Sequence, residues 1–82
     1  MTFDRMQDLL AQIIILESAF GYYNMFKNIE QTKNLRDRLA IDYDTDLSLE
    51  EDCIAILKDN TKLLERFDED TKDEYIHVND SQ

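Results

Sequence analysis

The chain has 82 residues and a mass of 9.8 kDa, enough for one domain with a single modest core and too little for a deep enzymatic cleft. Its 43% hydrophobic content argues against global disorder, and its one glycine and absence of proline leave too few turn formers for an all-β fold. The formal net charge of −10 disfavours direct binding to nucleic acid or to anionic lipid.

The first predicted helix covers residues 3–20 and begins after Thr2, whose hydroxyl suits an N-cap. Apolar residues recur along it at intervals of three and four, as on one face of a helix. The run Ile13-Ile14-Ile15-Leu16 exceeds that face, because four consecutive residues occupy most of the circumference of a helix. This helix is therefore expected either to lie centrally in a bundle or to pair with a second copy or a foreign helix.

Gly21 is the only glycine and stands where the first helix could end. It could be the left-handed residue after the helix, with Asn24 capping the next one. It could instead lie inside one long helix, at a cost of about 1 kcal/mol. We favour the break, because residues 21–24 form the weakest helix-forming stretch before residue 40.

The second helix is predicted over residues 25–40 and the third over residues 49–67, after an acidic connector. Ser48 and Glu51 have the spacing of a capping box at the start of the third helix. We predict an all-α fold: a small three-helix bundle or a long helical hairpin that associates with itself. Residues 1–74 form the single helical domain, and residues 75–82 form a polar tail with Tyr75, Ile76 and Val78 as a late anchor.

No pattern for catalysis, metal or cofactor binding is present in the sequence. The connector resembles a calcium loop at Asp42, Asp44 and Asp46, but Leu47 stands where that loop needs glycine and Cys53 where it needs glutamate. One cysteine and one histidine cannot supply four zinc ligands. We therefore expect a protein that is not an enzyme, has no cofactor and carries Cys53 as a buried, inert thiol.

The N-terminus lacks the basic region and apolar run of a signal peptide, and the longest apolar stretch is far shorter than the roughly 20 residues of a membrane span. We therefore expect a cytoplasmic protein without membrane insertion. The surplus apolar surface of the first helix favours a regulator that inhibits a protein partner by helix-to-helix contact. The residues predicted to contact the partner are Leu10, Ile13, Ile14, Phe20 and Tyr23.

The alternative function is an acidic mimic of nucleic acid that blocks a basic groove. Residues 1–41 carry no net charge, so the whole excess of −10 lies in residues 42–82. Binding by such a mimic should weaken steeply with salt, whereas apolar binding should not. The acidic residues that would imitate phosphates are Asp42, Asp44, Asp46, Glu50, Glu51, Asp52, Asp68, Glu69 and Asp70.

The whole chain, from MTFDRMQDLL to YIHVNDSQ, resembles the lysis-inhibition accessory proteins of T-even phages, which are cytoplasmic antiholins, in size, helical character and expected location. The resemblance implies binding to the cytoplasmic N-terminal part of a holin, which prevents hole formation. It assigns no role to any single residue, so the docking face on the first helix rests on the apolar pattern alone.

Overall fold

The computed structural model describes the backbone of residues 1–80 and the side chains of residues 1–67. It contains three helices: α1 (Phe3–Tyr22), α2 (Phe26–Asp42) and α3 (Leu49–Asp80). They form a small all-α three-helix bundle, which confirms the predicted fold class. Because the structure contains a single chain, self-association stays a prediction.

The core is built on one stripe of α1 whose members follow the three-and-four spacing of a helix. Thr2 caps this helix as predicted, because its hydroxyl accepts a hydrogen bond from the backbone N–H of Arg5 at 3.2 Å. Leucines of α2 and the first half of α3 complete the core around the buried thiol of Cys53. The buried apolar residues are Met6, Leu9, Ile13, Leu16, Phe20, Leu35, Leu39, Leu49, Cys53 and Leu57.

The helices are unequal in length and in how closely they pack. The α1–α2 pair forms the most extensive contact, and α3 meets both helices less completely. At 1.5 Å per residue the 32 residues of α3 span about 48 Å, and the molecule is elongated at 57 × 18 × 17 Å. The helix therefore continues past residue 67, through most of the segment predicted as a polar tail, and the anchor predicted at residues 75–78 lies outside the described side chains.

The turn between α1 and α2 corrects two predictions. Gly21 lies inside α1, and Asn24 rather than glycine adopts the left-handed conformation, with φ of 56°. The N–H of Met25 donates to the carbonyl of Phe20 at 3.0 Å, and that of Asn24 donates to the carbonyl of Gly21 at 3.2 Å. This is a Schellman motif, which asparagine tolerates at its left-handed position. Asn24 therefore ends α1 and does not cap α2.

Replacing Gly21 with alanine should stabilise the protein by about 0.5–1 kcal/mol, because glycine inside a helix costs that much relative to alanine. Apart from its chain neighbours and the backbone of its own helix, a β-carbon at this position would meet no atom within 4 Å. Urea denaturation followed by circular dichroism measures the effect. A matched Asn24→Ala variant should be destabilised, because alanine is strained in the left-handed region. A destabilised Gly21→Ala variant would contradict the helical position of Gly21.

The connector between α2 and α3 is held by Asp46. Its Oδ1 accepts hydrogen bonds from the backbone N–H and the hydroxyl of Ser48, at 3.1 and 2.8 Å, while its Oδ2 accepts from Arg38. The Ser48 hydroxyl is thus directed back to Asp46 instead of capping toward Glu51. The predicted capping box is wrong in this detail, although α3 begins at Leu49 as expected.

Candidate partner-binding groove

An open groove runs between α1 and α3, where the two helices leave a gap along their sides. Three adjoining cavities of about 540, 310 and 240 Å³ form it, and neighbouring cavities share lining residues such as Gln12, Thr61 and Leu64. Its α1 wall extends from Arg5 to Ala19, with Tyr23 just past the end of that helix, and its α3 wall extends from Ile54 to Glu65. The groove follows the helices for most of the length of α1.

The middle of the groove is apolar. Leu16 and Leu57 form its floor and belong to the core, so the floor is fixed by packing on both helices. Ile15 stands at the α1 edge with 70% of its surface exposed. When a partner covers an apolar floor and an exposed branched side chain, apolar surface leaves water and the free energy of the complex is lowered.

The two ends of the groove differ in charge. Arg5, Lys58 and Lys62 line one end together with Glu65. Among the described side chains, Glu65 is also the only charged residue that lines the other end, beside Tyr23. At this end the ring of Tyr23 packs edge-on against that of Phe67, with centroids 4.6 Å apart.

The structure separates the five residues predicted to contact a partner. Ile13 and Phe20 are fully buried, so the prediction that they form an accessible surface is wrong. Leu10 is half-buried against the core, and Tyr23 lines the groove. The fifth, Ile14, is 45% exposed.

The exposed side of Ile14 is not the side that bears the groove. Ile14 lies three residues before Glu17, and Glu17 forms an ion pair with Arg36 of α2 at 3.0 Å. Residues three apart share one side of a helix, so Ile14 lies toward α2 while Ile15, about 100° further round, lies at the groove. The predicted face therefore mixes the core, the α2 side and the groove side of α1.

Six α1 residues that line the groove were absent from that prediction: Arg5, Leu9, Gln12, Ile15, Leu16 and Ala19. Gln12 is polar and Ala19 is small, so a search for large apolar residues does not select either as a contact residue. Arg5, Gln12 and Ala19 follow one another at intervals of seven residues, which places them on one side of α1 next to the core stripe. That spacing is the signal available in the sequence, but it has meaning only once the position of α3 is known.

The acidic surface is partly neutralised inside the molecule. The guanidinium of Arg38 donates hydrogen bonds to the carboxylate of Asp46 and, at 3.2 Å, to that of Asp52. The guanidinium of Arg5 lies 3.9 Å from the carboxylate of Glu50. The hydrogen bond from Arg38 lowers the pKa of Asp46. Three of the acids that a nucleic-acid mimic would present are thus engaged by arginines, and Asp68, Glu69 and Asp70 lie outside the described side chains.

Cys53 is buried in the core, and burial raises the pKa of its thiol. A protonated thiol without solvent access is a poor nucleophile, so its position suits packing rather than chemistry. Among the described side chains, no cluster of three histidines, cysteines or carboxylates could hold a metal ion.

Within the described residues, none of the helices has a stretch both long and apolar enough to cross a bilayer. Comparisons with protein-family models, with curated proteins and with solved structures find no match to this chain. The fold and the site thus define a small three-helix bundle with an open groove between α1 and α3 that is apolar in its middle.

Proposed function

We propose that this protein is a non-enzymatic regulator that binds a helical segment of a protein partner in the groove between α1 and α3. One observation supports the proposal most strongly: the groove has an apolar floor, Leu16 and Leu57, beside an isoleucine that is 70% exposed. A partner segment that is bound in the groove would be unable to contact its own target. Each molecule of this protein would therefore inhibit one molecule of the partner.

A helix is the occupant that fits the dimensions of the groove. From Arg5 to Ala19 the groove extends over fourteen residue steps of α1, or about 21 Å. A helix of about 14 residues has the same length and presents a continuous apolar stripe at intervals of three and four residues. Because the backbone groups in the middle of such a helix are bonded internally, they lose no hydrogen bonds against the apolar floor, and only the helix ends need other partners.

The resemblance to cytoplasmic antiholins adds a specific target to the proposal, the cytoplasmic N-terminal segment of a phage holin. In that role the protein acts in the cytoplasm of the host and delays lysis. Holins assemble to form the hole, so occupying a segment that takes part in assembly would prevent hole formation. The groove is the part of this fold that can hold such a segment.

An Ile15→Asp variant tests the proposal, because Ile15 contributes to the groove but is not part of the core. Isothermal titration with a synthetic peptide of the holin segment should show at least a tenfold weaker Kd, since a carboxylate then replaces an apolar contact at the interface. Ile41→Asp is the matched control. Ile41 is 74% exposed on α2 and lines none of the cavities, so this variant should bind as wild type.

Both variants should retain the helical circular dichroism of the wild type and lose less than about 1 kcal/mol of stability, because both positions are largely exposed. Equal affinity of the two variants for the peptide would contradict binding in the groove. Sedimentation equilibrium of the free protein is part of the same test. If a dimer forms that Ile15→Asp alone dissociates, the groove is occupied by a second copy instead.

A further inference from the structure

The basic end of the groove is unusual in so acidic a protein. Lys58 and Lys62 are both exposed and both line the groove, and Arg5 faces them from α1. The lysines are four residues apart, so they share one side of α3, where like charges repel and destabilise the helix slightly. Three basic groups thus converge on one end of a surface whose middle is apolar.

These lysines are available to a partner. Arg5 is paired with Asp8 at 3.1 Å and lies 3.9 Å from Glu50, whereas neither lysine forms an ion pair with any side chain of residues 1–67. Among the described side chains, Glu65 is the one acid that lines the same end of the groove, and it is not within ion-pair distance of either ammonium group. Neither charge is therefore neutralised by an ion pair within the described side chains.

We infer that the groove selects an acidic amphipathic helix, with two carboxylates one turn apart that lie against Lys58 and Lys62. This inference rests on the proposed function and adds the chemistry and the direction of the occupant. The carboxylates fix one end of the bound helix near Arg5, and its most apolar end then lies against Ala19 and Leu64. A helix bound in the reverse direction would place its carboxylates near Tyr23 and away from the lysines.

Charge complementarity of this kind determines which helix binds, while the apolar floor supplies most of the affinity. Docking removes water from the two ammonium groups, and a charge that loses water without gaining a partner destabilises the complex. Neutral or basic helices with the same apolar stripe are therefore penalised at this end of the groove, and acidic helices are favoured.

Three synthetic helical peptides of 14 residues test the inference. They share one leucine stripe and differ only at two flanking positions four residues apart, which are both glutamate, both glutamine or both lysine. We expect the affinity for the wild-type protein, measured by fluorescence anisotropy at low salt, to fall in the order glutamate, glutamine, lysine. The glutamate and lysine peptides should differ by roughly tenfold, and the difference should shrink as salt is added.

A double variant, Lys58→Glu with Lys62→Glu, should reverse the order of the three peptides. The matched control is Lys27→Glu with Lys33→Glu, which makes the same change in net charge on exposed positions of α2 that line none of the cavities. The control should keep the wild-type order. This comparison separates the local effect of the groove lysines from the effect of total charge.

The possible failures are distinguishable. If all three peptides bind the wild type with equal affinity and Ile15→Asp binds none of them, the acidic specificity is wrong and groove binding is retained. Tightest binding of the lysine peptide overturns the inference in favour of an acidic, mimic-like surface. If no peptide binds, or if Ile15→Asp leaves binding unchanged, the groove does not hold a helix and the proposed function is wrong as well.

Discussion

Replacing Ile13 with aspartate should unfold the protein. Ile13 is 0% exposed and lies in the middle of the core stripe of α1, with Leu9 and Leu16 one turn to either side. A carboxylate there loses its water and gains no partner, which costs several kcal/mol. The total stability expected for 82 residues is only roughly 4–12 kcal/mol, so the variant should be largely unfolded at 25 °C.

The neighbouring isoleucines provide the controls for this prediction. Ile14→Asp and Ile15→Asp make the same chemical change at positions that are 45% and 70% exposed. Both variants should keep the helical circular dichroism and a cooperative urea transition, while Ile13→Asp should lose both. If the three variants were equally folded, or equally unfolded, the burial pattern of α1 would be wrong.

Truncating Phe20 to alanine should lower the free energy of unfolding by about 3–5 kcal/mol, the usual cost of removing a fully buried aromatic ring. Phe20 is a large core side chain, and its carbonyl accepts the hydrogen bond from Met25 that closes the turn after α1. The cavity left by the ring would lie at the junction between the core and that turn. Urea denaturation of the variant measures the loss.

Phe26→Ala is the matched control for the Phe20 variant. Phe26 is 73% exposed at the start of α2, so the same truncation should change the stability by less than about 1 kcal/mol. A small effect at Phe20, or effects of similar size at the two phenylalanines, would contradict the position of Phe20 in the core.

Much of the fold could be predicted because its causes are local. The Thr2 cap, the start of α3 at Leu49 and the periodic stripe of α1 depend on residues within a few positions of one another. The end of α1 was harder to place. Glycine adopts the left-handed conformation without strain, which favours Gly21 as the end of α1. The structure places Asn24 in that conformation instead, within the turn that the Met25 N–H closes by donating to the carbonyl of Phe20.

The length of α3 was underestimated for a related reason. Periodicity reveals a helix by its buried stripe, and the polar segment after Phe67 has few apolar residues to mark such a stripe. The backbone nevertheless remains helical to Asp80.

The groove could not be predicted, because it depends on how α3 packs against α1. The run from Ile13 to Leu16 has more apolar surface than one contact can bury, but its pattern does not fix which of the four residues remain exposed. Two predicted partner contacts, Ile13 and Phe20, are part of the core. A helix pattern gives relative angles among its own residues, whereas the direction of each neighbour comes only from long-range packing.

The ratio of the affinities of Ile15→Asp and Ile41→Asp for the holin-segment peptide tests the groove most directly, because the two variants differ only in which surface gains the charge. If the groove receives the partner, Ile15→Asp binds at least tenfold more weakly than Ile41→Asp, and both proteins remain folded. A ratio near one, with tight binding retained by both variants, would show that the partner binds elsewhere on the molecule.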